Sequence, residues 1–307
     1  MIELGRRAVL TGGTASLALA SASGSPAQAN VLPAGGRSVA KDTRDPFTLG
    51  VASGDPEPDG VVLWTRLAPE PLAFDGRGGM PSREVRVDWQ VAEDVEFRRV
   101  VRHGSVWATP RKAHAVHVEV RGLRSEREYF YRFRAERHHS RVGRTRTAPG
   151  YESSPSSFTV AAASCAEYEH GFFTAYRRLA EERPDLVLHL GDYLYEFRHN
   201  GFVANPHNVR RTLGPETVTL AGYRQRHGQY KSDPDLQAAH AAAPWSVIWD
   251  DHEVDGNWAG LHPEHPEPGF RHRRAAAFRA YYENMPLRRS SVPRWRGDAD
   301  LSPGALG

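Results

Sequence analysis

A single cysteine, Cys165, stands in the 307 residues, so no disulfide can form within the chain, and this thiol is either inert core or a reactive or ligating group. Lysine is almost as scarce, at Lys41, Lys112 and Lys231. The basic charge is carried by arginine, a bias expected of GC-rich coding more than of phosphate binding. No run approaches the ~20 consecutive apolar residues of a membrane span. Neither sign of charge dominates, since 40 basic against 37 acidic side chains leave a formal net charge of +3. Acids and arginines alternate along the chain, as where Glu93-Asp94 precedes Arg98-Arg99. That pattern is mixed solvated surface and gives no specific nucleic-acid partner. With 39% apolar and 25% charged residues, 22 Pro and 28 Gly, collagen, coiled coil and wholesale disorder are excluded. The length suits two domains of ~150 residues.

The first 29 residues read as an address. Arg6-Arg7 precede a weakly apolar run from Ala8 to Ala22 containing Gly12-Gly13, and Ala27-Gln28-Ala29 is a small-x-small cleavage signature. The paired arginines and low hydrophobicity resemble a twin-arginine export signal, although Gly5 and Val9 depart from its usual residues. This predicts passage through the twin-arginine translocase and a secreted, extracellular or periplasmic location. Residues 30–46 then form a flexible leader.

From 47 to 148 the period is that of short strands. Val85, Val87, Trp89 and Val91 alternate with polar residues, as do Val116, Val118 and Val120. Tyr129, Tyr131 and Phe133 follow Gly122-Leu123, with Arg132 and Arg134 facing the other way. This resembles the penultimate strand of an immunoglobulin- or fibronectin-like sandwich, a module that more often positions or binds than catalyses. His114 and His117 fall on opposite faces of a strand and are not read as a metal pair. Residues 149–157, rich in Gly, Ser and Pro, form a linker.

From 158 to 307 the pattern becomes α/β. Phe158–Ala163 is a buried strand, His170–Arg183 a helix ended by Pro184, and Asp185–Leu190 a second strand; Pro244–Trp249 is a third. Strand, helix and strand at this spacing make a βαβ unit with parallel strands. Each strand stops at residues with ligand chemistry: Ser164-Cys165, then Gly191-Asp192-Tyr193-Leu194-Tyr195, then Asp250-Asp251-His252-Glu253. In an open α/β sheet the ligand crevice lies beyond the carboxyl ends of the strands, so a thiol, carboxylates, a phenol and an imidazole converge there. Anionic oxygen and sulfur together favour a hard, high-valent ion such as ferric iron alongside harder divalent ions. The segment from Glu196 to Pro244, with His199, Asn200, Asn205, His207 and Arg210-Arg211, reads as a solvated loop and short helix walling the crevice. His262 and His265 read as surface-loop residues.

Gly-Asp-Tyr-Leu-Tyr-Glu at 191–196 and Trp-Asp-Asp-His-Glu-Val-Asp-Gly-Asn-Trp at 249–258 resemble the signatures of the alkaline phosphatase D (PhoD) family of metallophosphatases. Leu49-Gly-Val-Ala-Ser-Gly-Asp-Pro56 and Val62-Leu-Trp-Thr-Arg66 are similar to the start of that family's accessory β-domain. The resemblance implies an immunoglobulin- or fibronectin-like sandwich followed by a four-layer αββα metallophosphoesterase domain. It implies that Cys165, Asp192 and Tyr195 ligate Fe3+. Asp192 would bridge to Ca2+, with Asp251 or Asn257 completing that side; which of Asp250, Asp251 and Asn257 ligates stays open. His252 would face the phosphate as the catalytic residue. The implied reaction is hydrolysis of phosphomonoesters and phosphodiesters at alkaline pH outside the cytoplasm, by a monomer, through in-line attack of a metal-activated oxygen nucleophile. Alternatives are another secreted metallophosphoesterase, phospholipase D-like, or a binding module with a degenerate catalytic half. The resemblance holds through Met285–Arg294 and breaks at Trp295, with no later Gly-Asp-x-His run. The expectation is therefore that the C-terminal part of the catalytic domain is missing, that an apolar sheet face is exposed, and that the chain alone is insoluble or inactive.

Overall fold

The computed structural model describes residues 44–203 and 206–293. The expected signal peptide, most of the leader, Asn205 and the divergent stretch after 294 lie outside the described residues. β1 (Val51–Glu57) and β2 (Gly60–Arg66) form an antiparallel hairpin, and β5 (Ala115–Val120) pairs with β2. Between them in sequence, β3 (Val85–Ala92) and β4 (Val100–Ala108) make a second hairpin. β6 (Glu128–Ala135) adds to β3, and β7 (His138–His139) and β8 (Gly143–Arg146) both pair with β6. Alternation sets the packing, because successive side chains point to opposite faces. Val61, Leu63, Val116, Val118 and Val120 meet Val87, Val91, Tyr131 and Phe133 in one buried cluster between the two sheets.

The second half adds three strands, β9 (Val160–Ala163), β10 (Leu186–Leu190) and β11 (Pro244–Ile248), all parallel, with α1 (Thr174–Glu181) between the first two. The βαβ unit forms as its spacing predicts, but β9, expected as a buried strand from Phe158, is half-exposed, because it ends the strand order and helices cover only one face of it. The helix is shorter than the periodicity of 170–183, because the Glu167 carboxylate accepts from the backbone N–H groups of Glu169 and His170 at 2.6 and 2.8 Å. Those bonds hold the approach in a turn. α1 and α3 (Pro234–Ala242) cover one face of the strands, where Phe173, Tyr176, Leu236 and Ala239 pack on Val187, Trp245 and Val247. On the opposite face Val160, Leu190 and Ile248 are exposed.

The order of the large sheet is β5-β2-β1-β11-β10-β9. β1 runs parallel to β11, with Ser53 opposite Pro244 and Gly54 opposite Trp245. The antiparallel strands of the first half and the parallel strands of the second are therefore one hydrogen-bonded surface. Arg66, fully buried, reinforces the junction by donating to the carbonyls of Ala113 and Gly76 at 3.0 and 2.6 Å and to Asn284 Oδ1 at 3.2 Å.

The segment after Glu196 differs from its sequence reading. α2 (Leu220–Lys231) is capped by Thr219, whose Oγ1 accepts from Gly222 N–H at 3.1 Å. The helix is buried from Tyr223 to Lys231, arginines and histidine included. Its polar side chains find fixed partners: Arg224 forks onto Glu283 with two bonds of 2.6 Å, and Arg226 donates to the carbonyls of Tyr195 and Pro215. α4 (Phe270–Asn284) supplies Glu283 and packs on α2.

Candidate metal centre

The ends of β9, β10 and β11 meet through their backbones. Gly191 closes β10 with φ +99°, and a Cβ there would lie 2.6 Å from Asp250 Cβ and N, so only glycine permits the two turns to touch. Cys165 N–H donates to Gly191 O at 3.2 Å and Ala166 N–H to Asp192 O at 2.8 Å. Cys165, Asp192 and Asn257 themselves adopt φ of +55°, +53° and +56°, a left-handed conformation that non-glycine residues hold only where surrounding structure imposes it.

These turns bring the expected donors together. Asp192 Oδ2 lies 3.6 Å from Cys165 Sγ and accepts from the Tyr195 hydroxyl at 3.4 Å. Cys165 is exposed, which removes the reading of it as inert core. On the other side, Asp192, Asp251 and His252 each bring one donor atom within 4.8 Å of the others. Asp192 Oδ1 also accepts from His252 N–H at 3.4 Å. Asp192 is thus common to a thiol–phenol pair and to the Asp251–His252 group, a set of donors that could hold a metal ion. At Asn257 the N–H bonds to Asp251 Oδ2, and the side-chain amide donates to Glu264 Oε1 at 3.1 Å. Asp250 is tied by its backbone N–H to Glu253 at 2.9 Å. His114 bonds to Arg83 O and His117 to Met285 O, both at 2.9 Å and in separate settings; His262 and His265 are exposed.

Burial, with the charges of Asp251 and Asp250, raises the Asp192 carboxyl above the usual carboxylate range, and His252 opposes it. Burial, then Asp192 and Cys165, raises the Tyr195 phenol far above its ordinary value. A nearby cation is what would reverse both. For His252, burial disfavours the imidazolium, but the hydrogen bond and charge of Glu196, helped by Asp192 and Asp251, raise it above its ordinary value.

Three carboxylates that build the site carried no assigned role in the sequence reading. Glu196 is wholly buried; its Oε2 lies 3.0 Å from His252 Nδ1 and its Oε1 accepts from Gly256 N–H at 2.8 Å. Glu253 accepts from the N–H groups of Asp192, Tyr193 and Asp250 at 3.1, 2.6 and 2.9 Å, joining two strand-end turns. Burial pushes its carboxyl up to about 7. Glu169 gathers the following loop through the N–H groups of Thr212 and Asn200 at 2.8 and 2.9 Å and through His199 Nδ1 at 2.6 Å. Aromatic rings enclose His252: Tyr195 stacks on it at 4.2 Å between centroids, with Phe202 and Phe197 at 5.2 and 5.6 Å. The only advance signal was the position of Glu196 and Glu253 inside the two quoted motifs.

The PhoD-like phosphatase family matches residues 158–301, and that family's N-terminal domain matches residues 33–149. Alkaline phosphatase D of Bacillus subtilis (strain 168) is 54% identical over 250 residues, which are 81% of this chain and 42% of that protein. The solved structure of PhoD superposes with a TM-score of 0.80 at 52% identity, covering 83% of this chain and 48% of that one. The chain thus spans less than half the length of these relatives. Carrying both segments of the family in order, the chain belongs to the PhoD-like phosphatases.

Proposed function

We propose that the strand-end site serves metal-dependent hydrolysis of phosphate monoesters and diesters, outside the cytoplasm after twin-arginine export. The reading rests on one observation above others: Asp192 is shared between the Cys165–Tyr195 pair and the Asp251–His252 pair. Fe3+ held by Cys165, Asp192 and Tyr195, and Ca2+ held on the Asp192–Asp251 side with Asn257, would neutralise the transferring phosphoryl group and make water acidic enough to attack.

The chain's own residues supply orientation and a proton. Glu196 engages Nδ1 of His252, which leaves Nε2 to meet substrate. In its protonated form His252 would donate to a phosphoryl oxygen, or to the departing alkoxide. Tyr195, Phe197 and Phe202 fix the ring plane and displace water from its faces. Glu253 locks the turn after β10 to the turn after β11, so that Asp192 and His252 keep one spacing.

The test is hydrolysis of p-nitrophenyl phosphate and its bis ester, with metal content and visible absorbance measured on the same preparation before and after chelation and calcium re-addition. Activity should track iron and colour. A colourless, iron-free preparation that hydrolyses either ester overturns the proposal.

A further inference from the structure

The outer face of the smaller sheet carries an ordered row of polar side chains that the phosphatase reading does not use. Register places Trp107 opposite Arg86, Ser105 opposite Asp88, and His103 opposite Gln90 on β4 and β3; β6 continues the rows with Arg134 beside Asp88 and Arg132 beside Gln90. Directly paired residues point to the same side of a sheet, so these eight side chains share one face. A shallow cavity of about 550 Å3 opens there, lined by Arg86, Asp88, Gln90, His103, Arg132 and Arg134.

The guanidinium groups are held in place. Arg86 and Arg134 grip the two oxygens of Asp88 at 3.0 and 2.7 Å, while Arg132 donates to Gln90 Oε1 at 2.9 Å and lies over the Phe97 ring at 4.0 Å. Trp107, at the end of the row, is 59% exposed. An indole left in water beside fixed arginines is a stacking platform with charge at its edge.

From this juxtaposition we propose that the outer face of β4-β3-β6 is a second binding site, for an acidic polysaccharide. A sugar ring would lie on Trp107, its anionic groups would meet Arg86, Arg132 and Arg134, and its hydroxyls would meet the mixed donors and acceptors of Ser105, Gln90, Asp88 and His103. That alternation favours a glycan over nucleic acid. A phosphate backbone calls for donors at close spacing and several stacking rings, whereas this face has acceptors between its arginines and a single exposed indole.

The test is affinity electrophoresis and calorimetry of the full chain against polygalacturonate and dextran sulfate, with neutral dextran and oligodeoxythymidylate as controls. The expected result is retention by at least one acidic glycan that weakens about tenfold in Trp107→Ala and is abolished in the Arg86→Gln/Arg134→Gln double variant. Thermal unfolding of these surface variants should match the parent protein. The proposal is overturned if neither acidic glycan binds, if binding survives both sets of substitutions, or if oligodeoxythymidylate or neutral dextran binds equally well.

Discussion

His252 is held by Glu196: the imidazole Nδ1 sits 3.0 Å from Oε2 of a carboxylate with no exposed surface. The same carboxylate grips Gly256 N–H, so one buried group fixes both the ring and the turn that follows it. Carboxylate partners of this kind typically contribute 10–100-fold in activity or metal affinity.

Glu196→Gln should therefore lower kcat/KM for p-nitrophenyl phosphate on the order of 10–100-fold. In chelator-treated protein, NMR titration should show the His252 pKa above its ordinary value in the parent and lower in the variant, because the acceptor charge that sustains the imidazolium is gone. An unchanged His252 titration removes the positioning role.

Tyr195→Phe should remove the phenolate contribution to the visible charge-transfer absorption of an iron-loaded preparation, shifting and weakening the band and leaving only that of the Cys165 thiolate. Cys165→Ser should keep a band, since the phenol remains beside Asp192, but load less iron. Absorbance with metal analysis of both variants checks this. A band unchanged in position and intensity in Tyr195→Phe means that Tyr195 is not a ligand.

Glu169 sets an acid-stability window. Burial works against its charge, but the donors from Thr212, His199 and Asn200 outweigh that and lower its carboxyl to about 2, from an ordinary 4.5. A depressed carboxylate contributes stability that is present above about 4.5 and lost as pH falls through about 2. Thermal melting followed from pH 6 to 2 should show Glu169→Gln less stable at pH 6 and flatter through the acid range. Parallel curves would show that Glu169 does not drive the slope.

Gly54→Ala should destabilise the protein by about 1–3 kcal/mol through overpacking. An added Cβ would lie 2.6 Å from Pro286 O and 2.7 Å from Trp245 O, backbone atoms that cannot swing aside. Urea denaturation with unchanged slope and a lower midpoint is the expected signature. A midpoint equal to that of the parent protein would mean that the β1–β11 junction is loosely packed.

How much of this was readable in advance differs by element. β9, β10 and β11 were legible because each is a short apolar run bounded by punctuation, with its chemistry in the next residues. Alternation likewise gave the inward faces of β3, β5 and β6. Period-2 patterning names faces, however, and not neighbours, so nothing in Val51–Glu57 announced β11 as its partner. For α2 the short helix is legible but its burial is not, for a different reason. Leu-Ala-Gly-Tyr-Arg-Gln-Arg-His-Gly-Gln-Tyr-Lys has no apolar stripe, and its burial depends on partners such as Glu283 and the Tyr195 carbonyl that only tertiary structure supplies. Glu196 looked like an ordinary carboxylate for the same reason, and Glu253 was grouped with the strand-end donors although it serves to tie two turns together.

The parallel ladder between Ser53 and Pro244 joins residues about 190 positions apart, a separation that slows folding because loop closure must precede the contact. During synthesis the first hairpin waits with one edge unpaired until β11 has left the ribosome, and a chain stopped inside the 149–157 stretch would never cover that edge. The two family segments are thus readable separately in sequence but are kinetically interdependent, and neither is a good candidate for expression as an isolated domain.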